Sequence, residues 1–316
     1  MAKQHTLLLS TILLLTFTAV SAAEPAFPLK ARRIVFLGDS ITHAGHYISL
    51  IEAQLRLAAI QPLPELINLG LPSETCSGLS EPDHPFPRPD VHKRIDRALA
   101  KLKPDVVVAC YGMNDGIYYP FSTVRFKAYQ EGVDKIIDKV HATGAKLVLL
   151  TPPAFDALPL KKQGKLLPAG AEKYAWFTIY EDYDDVLRQY AAWVMKQSER
   201  VEMVIDLHTA VRQYVDAQRE TNPDFTMSPD GVHLNQEGHR VLAKKILPAW
   251  GIAEENNPDG RLLTYISERQ QVMHQAWLSE VGHQRPGVKA GLPIKQALDR
   301  AAEIESLIRR TQAELP

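Results

Sequence analysis

Short apolar runs rich in strand-forming residues recur along the chain, separated by segments whose apolar positions follow a helical period. The runs are Arg33 to Gly38, Glu65 to Leu69, Asp105 to Cys110, Lys146 to Leu150 and Val201 to Leu207. Within the third, Val106-Val107-Val108-Ala109 is apolar without interruption, as expected of a strand covered on both faces. Helical spacing links Tyr47, Ile48, Ile51, Leu55 and Ala58 and ends at the Pro62 to Pro64 break. It returns over Val91 to Leu102, Ser122 to Thr143 and Tyr183 to Gln197. This succession of strand, helix and strand predicts a five-stranded, mostly parallel sheet with helices on both faces. In such a sheet the ligand crevice lies beyond the carboxyl ends of the strands.

Two regions depart from that rhythm. Residues 154 to 180 mix Lys161, Lys162, Gly164 and Lys165 with Pro168, and read as an insertion over the strand ends, where such loops set substrate choice. Its aromatics, Tyr174, Trp176, Phe177 and Tyr180, read first as packing and second as a surface for stacking a sugar ring. Beyond Ile252, Asn256-Asn257-Pro258-Asp259-Gly260 is a linker pattern, followed by two helical patterns, Leu262 to Val281 and Ile294 to Ile308. Each has one apolar face, so the pair should fold back on the core or on each other. Between them, Gly282 to Gly287 reads as a structural turn, with His283 and Arg285 reaching substrate as the alternative.

Lys3, the apolar stretch Leu7 to Val20 and Ser21-Ala22-Ala23 have the layout of a secretory signal peptide, cleaved near Ala22 or Ala23. The stretch is too short, and too rich in Ser and Thr, to favour a membrane span, and an uncleaved anchor is the second reading. The expected organisation is a leader over 1–23, a main domain over 24–251 and a helical extension over 252–316. The mature protein is expected to be secreted or periplasmic and free of the membrane. Lys and Arg number 36 against 37 Asp and Glu, a balance that argues against a nucleic-acid or anionic-membrane partner. The 2 cysteines, Cys76 and Cys110, make no disulfide scaffold. Buried free thiols are the default for them, and a bridge near the crevice is the alternative.

Candidate chemistry starts at Gly38-Asp39-Ser40-Ile41, where the first strand pattern hands over to a helix. A serine there faces unpaired backbone N–H groups, which suit a developing oxyanion. Alone the tripeptide is also an ordinary cap and turn. Three later stretches change its meaning: Asn68-Leu69-Gly70, Gly112-Met113-Asn114-Asp115 and Asp230-Gly231-Val232-His233. With the first, they resemble the four ordered blocks of the SGNH hydrolases, the GDSL-type esterases, over roughly residues 31 to 251. The resemblance implies a three-layer α/β/α, flavodoxin-like fold. It implies Ser40 as nucleophile, His233 as general base and Asp230 as the group orienting the imidazole. It also implies an oxyanion hole of the Ser40 and Gly70 N–H groups and the Asn114 side-chain amide.

Other histidines have plainer readings. His43, His46, His84, His92, His141, His208, His239, His274 and His283 are taken as surface or capping residues. His43 and His46 are spaced to share a helix face, with no third ligand to complete a metal site. His233 stands apart because Asp230 precedes it and the helix signal Asn235, Glu237 follows. No Gly-x-Ser-x-Gly elbow, Gly-x-Gly-x-x-Gly or Walker loop occurs, so neither an α/β-hydrolase nor a nucleotide site is expected. The expected protein is an exported serine esterase using no metal or organic cofactor and acting on a small-molecule or glycan ester. Removal of acetyl groups from carbohydrate leads; lipid, aryl or thioester hydrolysis and a non-catalytic carbohydrate-binding role are the alternatives.

Overall fold

The computed structural model describes residues 27–253 and 258–315, so the expected leader over 1–23 and the Asn256-Asn257 part of the linker lie outside the described residues. The main domain opens with β1 (Arg33–Gly38), α1 (Ser40–Ala44), α2 (His46–Leu57) and β2 (Glu65–Asn68). A 3-10 turn at Val91–Lys93 leads into α3 (Ile95–Leu102), β3 (Val106–Cys110), α4 (Thr123–Ala142) and β4 (Lys146–Leu150). The insertion holds α5 (Ala157–Lys162), β5 (Leu166–Leu167) and β6 (Ile179–Tyr180). Then come α6 (Tyr183–Met195), β7 (Met203–Ile205), α7 (Leu207–Arg219) and α8 (Gln236–Ala249), and last α9 (Gly260–Val281) and α10 (Ile294–Ala313).

The main sheet has the order β2-β1-β3-β4-β7 and every pairing in it is parallel. The chain steps outward from β1 to β2, then returns past β1 to β3, so the winding direction reverses between β1 and β3. At such a switch point the flanking connections leave toward opposite faces and a crevice opens at the strand ends. Gly38 and Cys110 are partners in register, so the segments that follow β1 and β3 leave the sheet side by side. All of β3, and β1 beyond Arg33, is buried, as unbroken apolar strands require.

Most predicted elements form where their caps place them. Ser122 caps α4 by accepting from the Arg125 N–H, and Gly144 follows the helix with φ +79°. Three differences have local causes. The first helical segment is two helices, because Gly45 at φ +73° turns the chain between α1 and α2. The segment from Val91 is broken at Arg94, whose backbone leaves the helical region while its side chain turns inward to Glu74. The helix α7 was not expected: its buried face is only Leu207, His208, Val211 and Val215, too narrow and too polar for a clear period. Cys76 and Cys110 are both buried free thiols, so the bridge is not formed.

The C-terminal helices pack on each other and, through α9, on α2 and β2, which covers one edge of the sheet. Ala53 of α2 joins Leu262, Ile266, Ile304 and Ile308 in a small apolar cluster. Beside it the buried Glu52 carboxylate accepts from Arg56 Nε at 2.8 Å, Gln270 Nε2 at 2.6 Å and Arg269. Arg56 continues to Glu305 at 2.7 Å. Removing Glu52 leaves two arginines facing one carboxylate in a nearly dry setting. Glu52→Ala should therefore lower stability by about 3 kcal/mol. The measurement is a urea midpoint at unchanged m-value, and an unshifted midpoint would count against the clamp.

Candidate active site

Ser40 is the first residue of α1, directly after the Asp39 cap, whose Oδ1 accepts from the Ile41 N–H at 2.9 Å. His233, 193 residues further along, places Nε2 at 2.8 Å from Ser40 Oγ. Its Nδ1 lies 2.6 Å from Asp230 Oδ2. With Nδ1–H donated to the carboxylate, Nε2 is left to accept from the serine hydroxyl. Asp230 is itself held, because its Oδ1 accepts the N–H groups of Val232 at 3.0 Å and His233 at 2.7 Å.

The loop that carries this pair is fixed from both sides. Asn235 caps α8 by accepting from the Gly238 N–H. Gly231 has φ +77°, and a Cβ there would stand 2.7 Å from Phe155, so the tight Asp-Gly-Val-His turn needs glycine. Asp156 donates its N–H to the Gly231 carbonyl at 2.9 Å. Its carboxylate takes both contacts of Arg219 at 2.8 Å and the Thr226 hydroxyl at 2.6 Å. Nothing in the sequence marks Asp156 or Arg219, since their partners are 63 residues apart.

Charges around the pair favour an imidazolium. Burial works against the Asp230 carboxylate, but the hydrogen bond and charge of His233 and two backbone donors bring it down to about 2. His233 is raised above its ordinary value: the Asp230 hydrogen bond outweighs burial, and the charges of Asp230 and Asp39 add to it. Asp39, buried beneath, is pushed up to about 7 by desolvation, with the Ile41 N–H and His233 opposing and Asp115 and Glu74 reinforcing.

On the other side of Ser40, Asn114 follows β3. Its Oδ1 accepts from the Tyr118 hydroxyl at 2.9 Å and its Nδ2 donates to the Glu74 carbonyl at 3.2 Å, which leaves one N–H for the cleft. Gly70 is not brought there. Its N–H is taken by Asn68 Oδ1 at 2.7 Å and its carbonyl by His274 Nε2 at 2.9 Å. A Cβ on it would stand 2.2 Å from the His43 nitrogen, so this glycine serves the close approach of α1. Ser73, three residues on and at φ +65°, lines the cleft instead. Among the described residues, no protein acceptor takes the N–H of Ser40 or Ser73. Under this turn lies a buried network: Glu74 with Arg94 Nε at 2.6 Å and the Tyr111 hydroxyl at 2.7 Å, and Arg94 with the Leu69 carbonyl at 2.7 Å. Asp115 holds the N–H groups of Cys76 and Ser77 at 2.9 and 2.8 Å.

His43 and His46 do not share a helix face, because Gly45 separates their helices; they stack edge-on against His274 and His239. His208, His239 and His274 are buried, not surface residues. Among the described residues no group of three or more His, Cys, Asp or Glu side chains is arranged to hold a metal ion, and no helix is long and apolar enough to cross a membrane. The cleft over Ser40 has a volume of about 240 Å³. From the insertion, Trp176 lines it and is 52% exposed, whereas Tyr174 is buried with its hydroxyl on the Pro168 carbonyl. From the turn between α9 and α10, Arg285 lines it too.

Residues 36–241 match the model of the GDSL-like lipase/acylhydrolase family. The chain belongs to that family. It is therefore an ester hydrolase of the serine type, on the α/β/α fold that the sequence leads one to expect. Among solved structures it is similar to an acetyl xylan esterase at TM-score 0.51 and 24% identity, covering 69% of this chain and 98% of that one. An acetyl-xylooligosaccharide esterase variant from Geobacillus aligns at TM-score 0.51 and 19% identity, covering 72% and 97%. A gut microbial diltiazem-metabolizing enzyme aligns at TM-score 0.53 and 20% identity over 71% of this chain, which spans only 48% of that longer protein. At these identities the likeness is one of fold. Comparison with curated protein sequences gives no match.

This GDSL-family site makes a pH prediction. A base raised by Asp230 must be neutral to accept a proton, so kcat/KM should fall tenfold per unit below an apparent pKa above about 6.5. Asp230→Asn removes the raising charge, so the acid limb should move to lower pH while turnover drops on the order of a thousandfold or more. A limb unmoved in that variant would dissociate it from His233.

Proposed function

We propose that this GDSL-family enzyme hydrolyses short-chain esters of carbohydrates through an acyl-enzyme on Ser40. The observation that carries the reading is the continuous chain of contacts from Asp230 through His233 to the Ser40 hydroxyl, 2.6 and then 2.8 Å long. Ser40 Oγ attacks the ester carbonyl carbon as its proton passes to His233 Nε2, and Asp230 stabilises the resulting cation. The tetrahedral oxyanion is received by the N–H groups of Ser40 and Ser73 and by the free N–H of Asn114, with Ser73 in the part expected of Gly70. Collapse expels the alcohol, which takes the proton from His233. Water then enters, gives a proton to the same nitrogen and releases the acid, restoring the serine.

Two features support a sugar ester. A cleft of about 240 Å³ suits a small acyl group, and the half-exposed indole of Trp176 on its wall offers the flat apolar face on which a pyranose ring stacks. Two similar folds belong to proteins described as acting on acetylated xylan or xylooligosaccharide, which points the same way at the level of fold. The leader pattern at the N-terminus supports action outside the cytoplasm, in the periplasm or beyond.

Hydrolysis of p-nitrophenyl acetate and labelling by a fluorophosphonate should both be lost in Ser40→Ala, and equal rates in wild type and variant would remove Ser40 from the mechanism. Across acetylated glycans, lipid esters, aryl esters and thioesters, the glycan acetates should give the highest kcat/KM. Trp176→Ala should lower that value about tenfold, mainly through KM, while affecting p-nitrophenyl acetate much less. A lipid or aryl preference that survives Trp176→Ala would overturn the sugar reading.

A further inference from the structure

Among the described residues, one arginine lining the cleft over Ser40 has no carboxylate partner. Arg88 is buried and fully paired, with Nε and Nη2 on Glu81 at 2.6 and 2.7 Å, so that couple adds no net charge. Arg285 differs. Among the described residues no carboxylate forms an ion pair with it. Its guanidinium lies 4.7 Å above the Phe86 ring, Nε donates to the Pro72 carbonyl at 3.3 Å, and Nη1 donates to the Pro286 carbonyl. Among the described residues no acceptor takes Nη2. The group is thus held at one place with part of its donor fork unused.

That place, on the turn of the helical extension, is maintained by the main domain. Arg97 of α3 donates to the Val281 carbonyl at 2.7 Å and to the Gly282 carbonyl at 3.1 Å, which fastens the turn after α9. The N–H of Arg285 donates to His283 Nδ1 at 3.2 Å within the turn. Desolvation, and after it the neighbouring Arg88, work against the Arg285 cation, and the charge of an arriving anion would offset them. A fixed, half-exposed guanidinium with free N–H groups matches the two oxygens of a carboxylate or a sulfate.

We infer that the helical extension supplies Arg285 as a specificity-determining residue, and that the preferred ester carries an anionic substituent, carboxylate or sulfate, on its alcohol side. The inference rests on the esterase reading of the same cleft. The acyl group of that reading is small and uncharged, so the anion belongs to the alcohol. A sugar ring against Trp176 would carry it toward the Arg285 wall.

The test compares kcat/KM for an O-acetylated uronic acid and its methyl ester, with an O-acetylated sugar bearing or lacking a sulfate as the second arm. Any general loss of activity cancels in these ratios. Wild type should favour the anionic member by about tenfold or more at low salt, as expected of a charge-assisted hydrogen bond. The preference should shrink in about 0.5 M NaCl. Arg285→Gln should bring the ratio near one, Arg285→Lys should keep part of it, and Arg285→Glu should invert it. A larger ratio in the carboxylate arm than in the sulfate arm, or the reverse, names the anion. A wild-type ratio of one in both arms, or ratios unchanged in the Gln and Glu variants, overturns the inference and leaves the esterase reading standing. Failure of wild type to hydrolyse even p-nitrophenyl acetate overturns both.

Discussion

Gly38 and Cys110 sit opposite each other on neighbouring parallel strands, and the site depends on that register. Because β1 and β3 end together at the point where the winding reverses, the turns that follow them emerge as the two walls of one crevice. Ser40 is two residues beyond the first strand and Asn114 four beyond the second. A slip of one residue in the pairing would turn every side chain of a strand to the other face and part the two walls. The unbroken apolar character of β1 and β3, both covered by helices, resists such a slip through the burial of every inward group.

The sheet brings two walls together, but polar networks aim them. Glu74, Arg94 and Tyr111 form a buried cluster beneath the turn that presents Ser73. Asp115 grips the backbone N–H groups of Cys76 and Ser77, a little further along the same segment. On the opposite side, Asp156 binds Arg219 and Thr226 with its carboxylate and the Gly231 carbonyl with its own N–H. Each network is costly to bury unless complete, and removing one member strands a charge in a medium that cannot solvate it. Such loops are consequently held in one geometry, which a proton transfer over 2.8 Å requires.

The C-terminal helices take part in the same economy of contacts. They cover the β2 edge through α9, clamp Glu52 with Arg269 and Gln270, and hold the turn that brings Arg285 to the cleft. The Gly70 carbonyl, bonded to His274 of α9, ties this extension to the loop behind α1. The cover of the sheet edge and one wall of the cleft therefore come from the same C-terminal extension.

Much of this arrangement is legible in the chain itself, because strand and helix periods are local properties. The five main strands, the ends of α4 and the cap of α8 follow from residue order and turn chemistry, and the Ser40, Asn114 and His233 stretches from their resemblance to the family's ordered blocks. What escaped are relations between distant segments. Gly70 looks like a donor in isolation, but in the fold the side chain two residues before it takes its N–H, and Ser73 reaches the cleft. Asp156, Arg219, Arg94 and Tyr118 acquire meaning only from partners that the sheet delivers. Helix α7 was hidden because a narrow, polar buried face has no period to read, and the break at Gly45 because it rests on a left-handed backbone angle and not on apolar spacing. Residue order determined the elements and the chemistry they carry, since both are written within a few neighbours. Which groups touch, and which N–H is left free, was decided by packing across the strand ends, because contact between remote residues is a property of the assembled core alone.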